Sequence, residues 1–302
     1  MKKLFLFLLL PLSAAAAPVN GYTDLQAVST TFAEELGGLL EAGKLMKPDE
    51  VKGQLAPLRR TNLELARPRG RVRASDDIYR EGLKSVVQVG RVFKCGKCDH
   101  WHESSAGGFI IHEEGYIATN FHVMQGATEK AGEGMGVRLS DGRVVAVKRI
   151  VASDKANDLA IIQVDATDLT PLRIADDIDI GDPVFVLSHP EGVFNTFTEG
   201  MVSNKVRRPG PPRGKRSVPE LNITADFAKG SSGSPVLNNC GELVGMVRST
   251  RSTYYDEKNG VDTNLQMVWK DAIPSFLIRD LCSAKSAEKD ATSSTSNDAV
   301  RR

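Results

Sequence analysis

D-F-A-K-G-S-S-G-S-P-V-L-N, Asp226–Asn238, sets two serines between two glycines and then runs through a proline into an apolar stretch. Such a run is either a plain polar turn or a backbone shaped to present a hydroxyl. The choice between them depends on what the rest of the chain supplies. Around it lie short apolar runs broken by turns. P-V-F-V-L-S, F-T-E-G-M-V-S-N, L-N-I-T-A, S-P-V-L-N, L-V-G-M-V-R-S and N-L-Q-M-V-W form one group. L-K-S-V-V-Q-V, G-F-I-I, G-Y-I-A-T, R-V-V-A-V-K-R-I-V and L-A-I-I-Q-V form an earlier one, separated by H-E-E-G, S-D-G-R and D-K-A-N-D turns. Many short strands at this spacing predict sandwiches or barrels. Two groups of about six predict an all-β body of two packed six-stranded antiparallel barrels.

The flanks differ in texture. Leu25, Val28, Phe32, Leu36 and Leu39 recur at steps of three and four, which predicts a helix over 23–47. Pro48 opens a second, shorter helix over about 49–60. R-P-R-G-R-V-R, Arg67–Arg73, reads as a basic, protease-sensitive linker. D-A-I-P-S-F-L-I-R-D-L, from Asp271, reads as a closing helix. The Ser-, Ala- and Lys-rich tail 283–302 is expected to be disordered.

Residues 1–17 have a basic start, an apolar run and an Ala-x-Ala end, the pattern of a secretory signal peptide. Leu4–Leu12 is too short to span a bilayer, and no later segment reads as a membrane span. Export to the periplasm or the medium is therefore expected. The chain has 302 residues and is 25% charged, with a formal net charge of +1. That balance argues against a nucleic-acid partner. Arg207–Arg216, R-R-P-G-P-P-R-G-K-R, carries three prolines and so reads as an exposed basic loop, solvated or meeting a partner.

Four cysteines, Cys95, Cys98, Cys240 and Cys282, allow three pairings in an exported chain. Cys95–Cys98 with Cys240–Cys282 is the favoured one. C-G-K-C-D-H-W-H also places His100 and His102 beside Cys95 and Cys98, with a spacing open to zinc. A local disulfide competes with the metal there, and a second Cys-x-x-Cys is missing.

Three pieces answer the opening question together. T-N-F-H-V-M puts His122 directly after a strand, A-N-D-L-A-I-I-Q-V puts Asp158 at the start of one, and G-S-S-G-S-P holds Ser232. In the order His, Asp, Ser they supply a base for a serine hydroxyl and a carboxylate to orient that base. G-Y-I-A-T-N-F-H-V, N-D-L-A-I-I and G-S-S-G-S-P-V resemble the three motif regions of trypsin-like (chymotrypsin-fold) serine peptidases. Their texture is nearest the bacterial Deg/HtrA and glutamyl-endopeptidase-like branches. The likeness covers 83–282, leaving 18–82 as a helical extension that is a pro-segment, an oligomerisation element or a decoration.

The resemblance implies a serine endopeptidase acting on proteins or peptides through an acyl-enzyme, with no cofactor required. It selects Ser232 over Ser231, because Gly230, Ser232, Gly233 and Pro235 fit Gly-x-Ser-Gly-x-Pro. It implies an oxyanion hole from the N–H groups of Gly230 and Ser232, each such donor worth on the order of 100- to 1,000-fold in rate. It places Asp226 at the floor of the specificity pocket, unless Asp226 is a turn residue or Lys229 neutralises it. Fewer than about 25 residues follow the closing helix, too few for the peptide-binding (PDZ) domain of Deg/HtrA enzymes. The oligomeric state stays open. Two rival readings remain: a catalytically silent module of this fold that binds peptides, and a metal-dependent interaction protein centred on Cys95–His102.

Overall fold

The computed structural model describes residues 22–126, 134–209 and 217–283. The expected signal peptide, nearly all of the tail and residues 210–216 of the expected basic loop lie outside the described residues, while Arg207–Pro209 of that loop end a strand. Along the chain run α1 (Leu25–Glu41), α2 (Pro48–Gln54), β1 (Leu58–Arg59), α3 (Ser75–Leu83), β2 (Val86–Lys94), β3 (Trp101–His112), β4 (Tyr116–Asn120) and α4 (Phe121–Gly126). Next come β5 (Gly134–Arg138), β6 (Val144–Asp154), β7 (Leu159–Val164), β8 (Pro183–Ser188), β9 (Thr196–Pro209), β10 (Ser217–Ile223), β11 (Pro235–Asn238), β12 (Leu243–Lys258), β13 (Val261–Pro274) and α5 (Phe276–Leu281).

Both expected barrels form. In the first, the order β6-β5-β2-β3-β4-β7 closes through the β6–β7 pairing, and β1 adds to β6 from outside. In the second, β10-β13-β12-β11-β8-β9 forms a closed ring. All the ladders are antiparallel. The period-two pattern of each strand explains the packing. On β7, Ala160, Ile162 and Val164 fill the first barrel, while Leu159 and Ile161 face the other way into a core shared with Phe185, Leu237 and Met246 of the second. Val184, Val186 and Val202 fill the second barrel's interior. The two barrels therefore join through buried apolar side chains, which fixes any cleft between them.

The flanks depart from expectation. The predicted helix over 23–47 ends at Glu41, because Gly43 turns left-handed at φ +66° and the Lys44 N–H returns to the Leu39 carbonyl. The second helix stops at Gln54, and Leu58–Arg59 pairs with β6 instead. The closing helix begins only at Phe276, since Asp271–Pro274 still belong to β13. Strand β5 has no counterpart among the expected strands. Its glycines look unlike a strand but seat α1: a Cβ at Gly136 would lie 2.3 Å from Leu36 Cδ2.

Arg67–Arg73 is tied down rather than free. The Arg69 and Gly70 N–H groups both donate to the buried Glu242 carboxylate, and the Arg73 N–H donates to the Asn239 carbonyl. The segment is held against the β11–β12 turn of the second barrel. Neither favoured disulfide is formed. Cys240 sits half-buried in the β11–β12 turn and Cys282 is buried in the core between the barrels, where burial pushes its thiol up to about 12.

Candidate active site

The His122 and Asp158 side chains meet because two chain junctions are stitched together. Strand β6 ends in a turn held by Asp154, whose Oδ1 accepts from Ala156 N at 2.9 Å and Asn157 N at 3.1 Å. That turn puts Asp158 in the left-handed region at φ +59°, a conformation Asp tolerates better than most residues. The Asp158 carbonyl then accepts from Phe121 N and from Asn120 Nδ2, both at 3.1 Å, where β4 passes into α4. One turn of helix carries His122 over the carboxylate. Asp158 Oδ1 accepts from the His122 backbone N–H at 3.0 Å, and Oδ2 meets His122 Nδ1 at 2.8 Å. Asp158 is buried and His122 exposed, so Nδ1 is engaged and Nε2 faces outward.

The serine turn docks against the same strand pair from the second barrel. The Gly107 N–H of β3 donates to the Ser232 carbonyl at 2.7 Å, and Thr119 Oγ1 of β4 donates to the Gly107 carbonyl at 2.9 Å. Gly233, at φ +82°, fits because a Cβ there would stand 2.3 Å from the Gly107 carbonyl oxygen. Gly230, at φ +94°, presses on the turn after β8, where a Cβ would lie 2.6 Å from the His189 carbonyl oxygen. The two serines have opposite environments. Ser231 is fully buried and its Oγ donates to Ser188 Oγ at 3.1 Å. Ser232 is half-buried, and its Oγ donates to the Arg248 carbonyl at 3.4 Å rather than to His122 Nε2.

The neighbouring N–H groups in the turn are used: Ser231 to Ala228, Gly233 to Val247 and Ser234 to Ser231. Among the described residues those of Gly230 and Ser232 have no such partner, so two donors are left at one bend. The turn that supports Gly230 contains His189, buried with its Nδ1 accepting from Asn195 N at 3.1 Å. Burial pulls that imidazole down to about 4.

Arg248 is the participant that sequence reading missed. Its guanidinium lies between two buried carboxylates, Nε 3.8 Å from Asp158 Oδ2 and Nη1 3.6 Å from Glu220 Oε2. Glu220 also receives Arg208 Nε at 2.6 Å. An ionic chain thus runs from the edge of the basic loop to the His122 partner. An arginine in a β-run otherwise made of apolar and small residues, G-M-V-R-S-T, was the available signal. Asp226 lies apart from the others. Its side chain is 83% exposed and paired with Lys270 Nζ, not Lys229. Of the metal candidates, Cys95, Cys98 and His102 converge at the β2–β3 tip, and His100 stands outside that group.

Residues 106–246 match the family model of the trypsin-like peptidase domain. Among curated relatives, a "Probable periplasmic serine endoprotease DegP-like" of Hahella chejuensis is 36% identical over 146 residues, covering 48% of this chain and 29% of the relative. "Protease Do-like 5, chloroplastic" of Arabidopsis thaliana is 32% identical over 157 residues, covering 49% of each. This chain spans between under a third and about half the length of these relatives. The solved structure "HtrA-type protease AlgW with decapeptide" superposes with a TM-score of 0.55 at 23% identity, covering 70% of this chain and 66% of that one, and supports the fold. Residues 106–246 are thus similar to the trypsin-like peptidase domain. Within that class the matched relatives carry DegP-like and Do-like serine protease names.

Proposed function

We propose that the protein is an exported serine endopeptidase whose peptidase domain spans 83–282 and cleaves proteins or peptides through Ser232, His122 and Asp158. The observation that carries this is the 2.8 Å His122–Asp158 contact, which Arg248 links to a half-buried Ser232 by reaching Asp158 Oδ2 with its guanidinium and Ser232 Oγ with its carbonyl; the serine lies at a bend with two N–H groups unpartnered among the described residues. Asp158 holds Nδ1, which leaves Nε2 as the base. Rotation about the Ser232 Cα–Cβ bond exchanges the Arg248 carbonyl for that base. The Oγ then attacks the peptide carbonyl as Nε2 takes its proton, and Nε2 returns the proton to the leaving amine. The Gly230 and Ser232 N–H groups receive the developing oxyanion. Water repeats the sequence on the acyl-enzyme, and no cofactor enters. The leader at 1–17 and the periplasmic names of several relatives support export.

In purified signal-free protein, Ser232→Ala is expected to lower peptide hydrolysis by on the order of 10,000-fold or more. Undiminished hydrolysis by that variant contradicts the reading. The Ser232–Arg248 contact favours one second reading, a silent peptide-binding module of the same fold. That module binds peptide with no turnover, and Ser232→Ala leaves its affinity unchanged.

A further inference from the structure

The tip of the β2–β3 hairpin gathers three soft ligands that the peptidase chemistry does not use. Cys95 Sγ and Cys98 Sγ lie 3.4 Å apart, and Cys98 Sγ lies 3.1 Å from His102 Nε2. All three ligand atoms fall within 4.8 Å of one another. A tetrahedral zinc with Zn–S near 2.3 Å and Zn–N near 2.05 Å sets its ligand atoms about 3.7 Å (S···S) and about 3.6 Å (S···N) apart. Two of the three separations are thus within about 0.5 Å of those zinc spacings.

The local backbone is built for thiolate. Gly96 takes φ +74°, which closes the Cys-Gly-Lys-Cys turn and aims the Lys97 N–H at Cys95 Sγ, 3.4 Å away. The imidazole is held too. His102 stacks on Phe93 at a centroid distance of 5.8 Å, on paired residues of β2 and β3, and so turns Nε2 toward Cys98. Lys94 covers the Trp101 ring on the adjacent pair. The exposed thiols leave a fourth position open to solvent.

We propose that Cys95, Cys98 and His102 bind one zinc ion that staples the β2–β3 hairpin. Binding releases the two thiol protons and uses neutral His102 through Nε2. The metal fixes strand register at one end of β3. Five residues further along, the same strand gives the Gly107 N–H to the Ser232 carbonyl. The role is structural, and the inference stands independently of the peptidase reading.

The test is native mass spectrometry of the full signal-free chain, purified in reductant without chelator, together with metal analysis. The expected result is about one zinc per chain in the wild type and in His100→Ala, and none in Cys98→Ser or His102→Asn. Cobalt exchanged into the wild type should give thiolate-to-metal charge-transfer absorption that Cys98→Ser lacks. Chelation should lower the wild-type Tm and leave that of Cys98→Ser unchanged, with circular dichroism verifying that each variant is folded. Absence of stoichiometric zinc overturns the proposal. So does a Cys95–Cys98 disulfide in metal-free protein recovered from the periplasm, seen as a mass about 2 Da below the reduced chain.

Discussion

Arg248 Nε stands 3.8 Å from Asp158 Oδ2, the same oxygen that meets His122 Nδ1 at 2.8 Å. The cation is shared, since Glu220 Oε2 holds its other end at 3.6 Å. Neutralising Glu220 leaves Asp158 as the nearest anion for Arg248. At these separations one charge pair is worth a few kcal/mol at a surface-like dielectric, about 4 at an effective value of 20. Glu220→Gln should therefore draw the carboxylate off the imidazole and lower kcat by roughly tenfold, the equivalent of about 1.4 kcal/mol. The double variant Glu220→Gln/Arg248→Met should recover most of that loss. Steady-state kinetics on the three proteins decide the matter, and equal rates in the single and double variants would refute the coupling.

The two adjacent serines should separate cleanly. Ser231→Ala removes one buried hydroxyl bond to Ser188, which should cost about 1–2 kcal/mol of stability. Its kcat/KM should stay within about tenfold of wild type, because Ser231 is buried away from the cleft. Denaturant titration and peptide hydrolysis measure the two effects on one sample.

Gly233 should tolerate no side chain. A Cβ there meets both the Gly107 carbonyl oxygen at 2.3 Å and Thr119 Oγ1 at 2.6 Å, at φ +82°. Gly233→Ala should lose about 3 kcal/mol or more in stability, together with most activity. Gly43→Ala is the control. It has φ +66° but open space around it, so only backbone strain of about 1 kcal/mol applies.

His189 should make the fold acid-sensitive. Buried neutral, it titrates at about 4 against an ordinary 6.5, so the unfolded chain binds the extra proton between those values. Stability should be flat above pH 6.5, fall from there to about pH 4 and level off below. The contribution is at most about 3 kcal/mol. His189→Asn keeps an acceptor for the Asn195 N–H and should flatten that segment of the Tm-versus-pH curve relative to wild type. Because His189 supports the Gly230 turn, activity should fall over the same range as the fold loosens.

The two-barrel architecture could be read from alternation. Runs such as Leu159–Val164 and Pro183–Ser188 are short, apolar and bounded by turns, and they became strands at or within a residue or two of those limits. What escaped reading depended on partners distant in the chain. Strand β5 is glycine-bearing because α1 lies on it, a reason invisible in its own five residues. Arg67–Arg73 looks like a free basic linker until Glu242, about 170 positions away, accepts two of its N–H groups. Asp158, His122 and Ser232 stood out because each sits in a local motif. Arg248 did not, because its significance lies in two carboxylates brought from other strands.

The most direct measurement is fluorophosphonate labelling of the signal-free protein with the modified residue mapped by peptide mass spectrometry. The account predicts stoichiometric modification of Ser232 in the wild type, loss of labelling in His122→Ala, and no label on Ser231. Failure to label folded wild-type protein, or a label that persists in Ser232→Ala, would contradict it.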